Sequence, residues 1–451
     1  MAEHSPARTG REAALQALCR VERDNAFLNL ALPPFLLTLE RPERALAQEL
    51  AAGVLRRLNT LDWSLALFLK RPLEGLTVWI RNLLRLGAYQ ILYLERVPDH
   101  AAVDETVRLA HRYGHRGVAG LVNAVLRRLA AAGGELPWPD PERQPLEYLV
   151  LQRSHPRWLM ERWFRRFGAA EASALGETNN IPPPLALRPN RLRITPGALI
   201  EKLSARGIAA AESPRLPGIV LAKAEGAVPA LPGYREGLFS VQGESAALVA
   251  PLLQPQPGEQ IIDLCSAPGG KSTHLAELME NQGVVTAVDL HPRRLGLVEL
   301  AAERLGLTAI NTLALDGRSI DGAGLSPPHR ILVDAPCSGL GVIRRLPELK
   351  WRRRPADLER MPRLQLTLLE AAAKLLRPGG LLLYSVCTTE PEETVAVADA
   401  FAAAHPCFTA RPFDRFLPPG LQSAVTAPGR LFLYPHRHGL DGFFIALWHK
   451  S

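Results

Sequence analysis

The chain has 451 residues, 47% of them hydrophobic and 22% charged, with Lys+Arg 53 against Asp+Glu 45 for a formal net charge of +8. A composition this close to the globular average excludes disordered, collagen-like and coiled-coil chains, and the length allows about three domains, large enough to need no disulfide or metal staple. No apolar run approaches the roughly 18 residues of a membrane span, and polar Met1–Arg11 has no apolar signal core, so a cytoplasmic protein is expected.

Residues 1–136 read as one all-α domain. Ile80, Leu83, Leu84, Gly87, Ile91 and Leu94 recur at helical spacing, as do Leu46, Leu50, Val54 and Leu58. Short breakers such as Arg71-Pro72 and Tyr113-Gly114 separate the segments, the pattern of a bundle. Its charge, 18 basic against 14 acidic residues, is compatible with a nucleic-acid contact and equally with an ordinary solvated surface.

Residues 137–235 form a linker and a small α/β module. Gly133-Gly134 and Pro137, Pro139, Pro141 and Pro145 mark the linker. The basic-aromatic helix that follows carries Trp158, Trp163 and Phe167, expected to dock it on a core, and arginines suited to RNA. Extended runs at Leu185–Leu187 and Ile219–Leu221 flank a helix near Thr195–Ala205. Of the 53 basic residues only seven are Lys and 46 are Arg; GC-rich codon usage explains that skew, though Arg also suits phosphates and bases.

From 236 to 451 the pattern becomes strand–helix alternation. Apolar runs at Ile261–Leu264, Val284–Val288, Ile310–Leu315, Ile331–Val333 and Leu381–Val386 alternate with helical stretches at 271–280, 292–305 and 361–376. This predicts an α/β fold with a Rossmann-like parallel sheet, helices on both faces and ligands at the strand C-terminal ends. The first strand runs into Cys265-Ser266-Ala267-Pro268-Gly269-Gly270-Lys271, whose glycines admit a ligand close to the backbone and whose following helix offers its N-terminal N–H groups. Gly270-Lys271-Ser272, with Asp334 ending an apolar strand, also fits the end of a phosphate-binding loop, but Cys265 stands where that loop needs glycine. Asp289, about 20 residues after the glycines, is placed to accept ribose hydroxyls. Asp289, Asp316 and Asp334 close successive strands on one rim.

Two cysteines also stand at strand ends. The five Cys (19, 265, 337, 387 and 407) form no Cys-x-x-Cys and no disulfide pattern, so free thiols are expected and no metal site. Cys337 follows Asp334-Ala335-Pro336, and Cys387 follows Tyr384-Ser385-Val386. Between them, residues 344–363 hold eight basic against three acidic side chains around Trp351, which predicts a phosphate track leading to the active site.

At this point the motifs Asp-Leu-Cys-Ser-Ala-Pro-Gly-Gly-Lys (263–271), Asp-Ala-Pro-Cys-Ser-Gly (334–339), Tyr-Ser-Val-Cys-Thr with Pro-Glu-Glu (384–393), Gly237–Gln242 and Asp441–Phe444 resemble the RNA cytosine-5 methyltransferases of the Nop2/Sun class. The helical N-terminus resembles a NusB-type RNA-binding domain, a combination similar to the bacterial enzymes acting on small-subunit (16S) ribosomal RNA. Val386 stands where the family usually has Thr, and Thr394 where it usually has Asn. The resemblance implies S-adenosyl-L-methionine as cofactor, held by Cys265, Ser266, Ala267, Pro268, Gly269, Gly270, Lys271, Asp289, Asp316 and Asp334. It implies Cys387 as the nucleophile toward cytosine carbon 6, Asp334 at ring N3 and Cys337 in product release. The implied partner is ribosomal RNA, met by a monomer with neither membrane nor metal. A P-loop-type ATPase acting on RNA and a non-catalytic ribosome assembly factor are the alternative readings.

Overall fold

The structure is a computed structural model describing residues 7–224, 226 and 228–451. The start of the polar N-terminal stretch, residues 1–6, lies outside the described residues. The chain divides into two units: residues up to Pro182 with Ile343–Arg352, and Pro183–Val342 with Arg353–Ser451.

The first unit is helical, as the apolar spacing predicts. Its main helices are Gly10–Arg23, Arg41–Arg56, Leu58–Ala66, Val78–Tyr93, Asp99–Tyr113 and Arg116–Ala131. Thr9 starts the first, its hydroxyl accepting from the Glu12 N–H at 3.2 Å. The two stripes turn inward: Leu50, Val54, Leu83 and Leu84 are buried, with Ile80, Ile91 and Leu94 packed against them. Gly87 permits a close helix approach, because a Cβ there would lie 2.3 Å from Leu126 Cδ1. Helix Arg157–Asn179 breaks at Gly168, whose φ of +79° only glycine adopts freely. Trp163 is buried, its ring edge-on to His155 at 5.2 Å, so that aromatic serves the core. Arg157 and Arg165 lie outside, paired with Glu147 and Glu161.

The segment Ile343–Arg352 corrects the expected phosphate track. Lys350 is completely buried, and its ammonium donates to Ser154 O at 2.6 Å, Arg56 O at 2.9 Å and Asn180 Oδ1 at 3.0 Å. Trp351 Nε1 donates to Leu55 O at 2.6 Å, Arg352 donates to Ala26 O, and buried Arg344 donates to Ile181 O at 3.2 Å. These groups cap carbonyls of the helical unit instead of facing solvent. Of the run, Arg354, Arg360 and Arg363 are exposed.

The second unit holds two sheets. The smaller is antiparallel in the order β2-β3-β1-β4, built from β1 (Leu185–Pro189), β2 (Ala209–Glu212), β3 (Val220–Lys223) and β4 (Phe239–Val241), with a helix at Pro196–Ser204. The larger comprises β5 (Gln260–Asp263), β6 (Val284–Asp289), β7 (Ile310–Ala314), β8 (Arg330–Asp334), β9 (Leu381–Val386), β10 (Phe408–Ala410), β11 (Val425–Ala427), β12 (Arg430–Leu433) and β13 (Phe443–Lys450). Its parallel part runs β9-β8-β5-β6-β7 and is flanked by helices at Gly270–Leu278, Pro292–Leu305 and Asp357–Leu375. Strand order reverses between β5 and β8, which opens a crevice at their C-terminal ends. Beyond β9 the sheet continues antiparallel through β13, which pairs with β10 and β12, and on to β11. The strand alternation predicts only the parallel part. β13 is buried on both faces along most of its length, so its apolar run carries no mark of direction.

Candidate active site

The crevice is built from the C-terminal ends of β5, β6, β8 and β9. β5 ends at Asp263, whose carboxylate is buried and accepts from Ser272 Oγ at 2.6 Å, tying the strand end to the helix that begins at Gly270. Between them lies the 265–271 loop. Gly269 there has φ +100°, and a Cβ would come within 3.0 Å of Val298 Cα, so both backbone shape and close packing require glycine. Ser266 Oγ is buried with no hydrogen-bond partner. Behind the loop, buried Arg188 of β1 donates to Gly270 O at 2.7 Å and pairs with Glu277 at 2.8 Å.

Asp289 ends β6 and is buried, accepting from the His291 N–H at 3.0 Å. Arg294 joins this acid to the loop: it lies 3.2 Å from Asp289 Oδ2 and donates to Ala267 O at 2.9 Å. Nothing in the local sequence separates Arg294 from other surface arginines. Asp316 sits two residues beyond β7, capping a short turn. Arg318 hydrogen-bonds it at 2.5 Å and holds its carboxyl below the usual range.

Asp334 ends β8 and is the hub of the crevice. Lys271 Nζ lies 2.5 Å from its Oδ2, and Ser385 Oγ donates to its Oδ1 at 2.6 Å. Lys271 is largely shielded from water, which by itself lowers an ammonium pKa, but the Asp334 charge outweighs this and the pKa is raised. Its Nζ also lies 5.5 Å from the centre of the Phe443 ring, which gives the Asp441–Phe444 motif its place.

The two thiols meet because β8 and β9 pair in parallel with Asp334 opposite Ser385. The turns after these residues bring Cys337 Sγ to 3.4 Å from Cys387 Sγ. The Cys337 thiol is pushed well up by its hydrogen bond to Cys387 and by burial. The neighbouring residues are tied as well, Ser338 Oγ to Thr388 Oγ1 at 3.0 Å. Gly341 closes the turn, its N–H donating to Cys387 O at 3.0 Å; a Cβ there would lie 2.0 Å from Gly442 O. Of the two departures from the family pattern, Val386 is buried in β9 and the Thr394 hydroxyl donates to Glu390 O at 2.8 Å. The structure therefore brings Cys337, Cys387, Asp334 and Lys271 together, with Asp289 one strand further along the same rim. Among the described residues no group of His, Cys, Asp or Glu side chains is arranged to hold a metal ion, and no helix is long and apolar enough to cross a membrane.

Comparison with known proteins identifies the family. A family model described as 16S rRNA methyltransferase RsmB/F matches residues 250–449, the NusB family matches 8–131, and an RsmF/B-like ferredoxin-like domain matches 155–228. The chain is 38% identical over 445 residues to a probable ribosomal RNA small subunit methyltransferase B of Bacillus subtilis (strain 168), covering 98% of both chains. The chain belongs to the ribosomal RNA small subunit methyltransferase B family. To the Pseudomonas putida (strain KT2440) member it is 39% identical over 441 residues, covering 97% of each. Among solved structures, PH0851 superposes with a TM-score of 0.84 at 28% identity, covering 99% of each chain. NSun6 from Pyrococcus horikoshii, solved with SFG, gives 0.58 at 25% identity over 65% of this chain and 98% of that one.

Proposed function

We propose that this rRNA methyltransferase moves a methyl group from S-adenosyl-L-methionine to carbon 5 of a cytosine in 16S ribosomal RNA, through a covalent adduct with Cys387. The observation that carries the reading is the pair of thiols 3.4 Å apart beside a carboxylate held by Lys271 and Ser385. A phosphoryl-transfer site has no use for two thiols in contact, and a non-catalytic assembly factor has no need of this set.

The residues present fit the cofactor. The crevice has a glycine cradle at Gly269, a helix N-terminus at Gly270, the buried unpartnered Ser266 Oγ and a buried acid at Asp289. The 265–271 loop, Asp289, Asp316 and Asp334 would hold it, and the SFG in NSun6 is an analogue of the same compound. Bound there, S-adenosyl-L-methionine supplies an electrophilic methyl sulfonium.

The rest falls to the protein. Carbon 5 of cytosine is a weak nucleophile until a thiolate adds to carbon 6 and turns the ring into an enamine. The two sulfurs are in contact, and the likeness of Tyr384-Ser385-Val386-Cys387-Thr388 to the Nop2/Sun motif makes Cys387 the nucleophile. As the Cys387 sulfur adds to carbon 6, its proton passes by way of the Asp334 carboxyl, held in place by Lys271 and Ser385, to ring N3, which draws electron density from carbon 6. Once carbon 5 carries the methyl group, its proton passes to Cys337 as Cys337 hands its own thiol proton to the departing Cys387 sulfur; the carbon–sulfur bond breaks and the ring double bond returns. The base must be single-stranded or extruded to reach these sulfurs. The NusB-like helical domain recruits the RNA, and the reaction belongs to the cytoplasm, where the transcript is made.

Denaturing electrophoresis of enzyme–RNA mixtures tests the roles. Cys387→Ala should give neither product nor adduct. Cys337→Ala should accumulate an adduct that is lost in the double variant. Accumulation in Cys387→Ala instead reverses the assignment, and unchanged turnover in both variants ends the mechanism.

A further inference from the structure

Six residues beyond Cys387, in the short turn Pro391–Glu393, lies a carboxylate that the chemistry above does not use. Glu393 is completely buried. Its Oε2 accepts from the backbone N–H of Ser338 at 2.8 Å and from the side-chain amide of Gln365 at 3.1 Å. Gln365, equally buried, donates from the same nitrogen to Pro336 O at 3.0 Å. Glu393 is itself anchored, its carbonyl accepting from the Tyr384 hydroxyl at 2.7 Å. Every donor it meets here is neutral, and its Oε1 is buried without a hydrogen-bond partner. Burying a carboxylate on such terms is expensive, and burial duly pushes its pKa up.

The two links fall on either side of one residue. Pro336 and Ser338 are the neighbours of Cys337, so its backbone is held at both ends from the chain segment that carries Cys387. A third tie, Arg353 Nε to Ser338 O at 2.5 Å, completes the grip. We propose that Glu393 is a positioning residue for Cys337: holding the Ser338 amide directly and the Pro336 carbonyl through Gln365, it keeps the Cys337 sulfur against Cys387 for the release half of the reaction. The inference rests on the two-thiol reading above and adds to it the residue that couples the two cysteine turns.

Substitution separates this role from plain stability. Glu393→Leu removes the acceptor, whereas Glu393→Gln keeps an oxygen that can face both donors. With S-adenosyl-L-methionine and substrate RNA, Glu393→Leu should form the adduct at close to the wild-type rate. It should release product on the order of a hundredfold more slowly, the cost of an ångström-scale misplacement, so that adduct accumulates. Glu393→Gln should restore most of the release rate. In the free protein, peptide-resolved iodoacetamide labelling should show Cys337 alkylated faster in Glu393→Leu than in wild type, with Cys265 unchanged. Equal slowing of adduct formation and release, or labelling that rises at every cysteine, would mean a merely structural role and overturn the proposal. If Glu393→Leu does not fold, Gln365→Leu takes its place. That variant should show the same partition to a smaller degree, and an unchanged partition sinks the idea. Cys337→Ala serves as the control: if it traps no adduct, the two-thiol reading fails. If it traps adduct and Glu393→Leu does not, only the role of Glu393 fails.

Discussion

Asp263 offers a pH test of the site's construction. It ends β5 in full burial, and its carboxyl is pushed up to about 7, first by burial and further by Asp334, against the pull of Ser272 and Lys271. The ordinary value is 3.8, so the folded state binds this proton more tightly than the unfolded chain does. The stabilising contribution is therefore complete below about pH 4 and is lost as pH rises through 7. Each pH unit of difference is worth about 1.4 kcal/mol, which puts the whole effect near 4 kcal/mol, about 3 of it between pH 5 and pH 8. Asp263→Asn keeps the shape and cannot ionise. Urea unfolding of both proteins at several pH values between 5 and 8, followed by tryptophan fluorescence, gives the comparison. The stability of the variant relative to wild type should rise by roughly 3 kcal/mol across that range. Parallel profiles would show that Asp263 does not titrate there and that its burial is not felt as argued.

Two further outcomes follow from buried charges. Arg188→Met strands Glu277 in a dry site and removes the donor to Gly270 O. It should cost about 3–5 kcal/mol in unfolding experiments and weaken S-adenosyl-L-methionine binding by calorimetry, with Glu277→Gln in the same chain restoring part of the loss; a cost under about 1 kcal/mol would contradict the burial. Lys350→Met should leave the salt dependence of RNA binding unchanged, since the ammonium meets Arg56, Ser154 and Asn180, whereas a slope smaller by about one would return Lys350 to the phosphate track.

The sequence by itself determined the helical first domain, the parallel strands, the glycine loop and both cysteine turns. These signals are local: an apolar period, or a strand running straight into its turn, is complete within ten or twenty residues. Asp334-Ala335-Pro336-Cys337 and Ser385-Val386-Cys387 could each be read in place for that reason. Their meeting was not local, because residues 50 apart come to 3.4 Å only through the parallel register of β8 and β9. The same holds for Glu393, which stands in the Pro-Glu-Glu motif without a stated task until its turn brings it to the Ser338 amide. The basic run around Trp351 shows the converse. Charge density suggested a solvated phosphate track, yet a lysine is tolerated in a core wherever distant backbone presents enough oxygens. The oxygens that meet Lys350 come from residues 170 to 294 positions away. Composition reports how many charges a segment carries, and only the tertiary structure decides whether water or a carbonyl receives them.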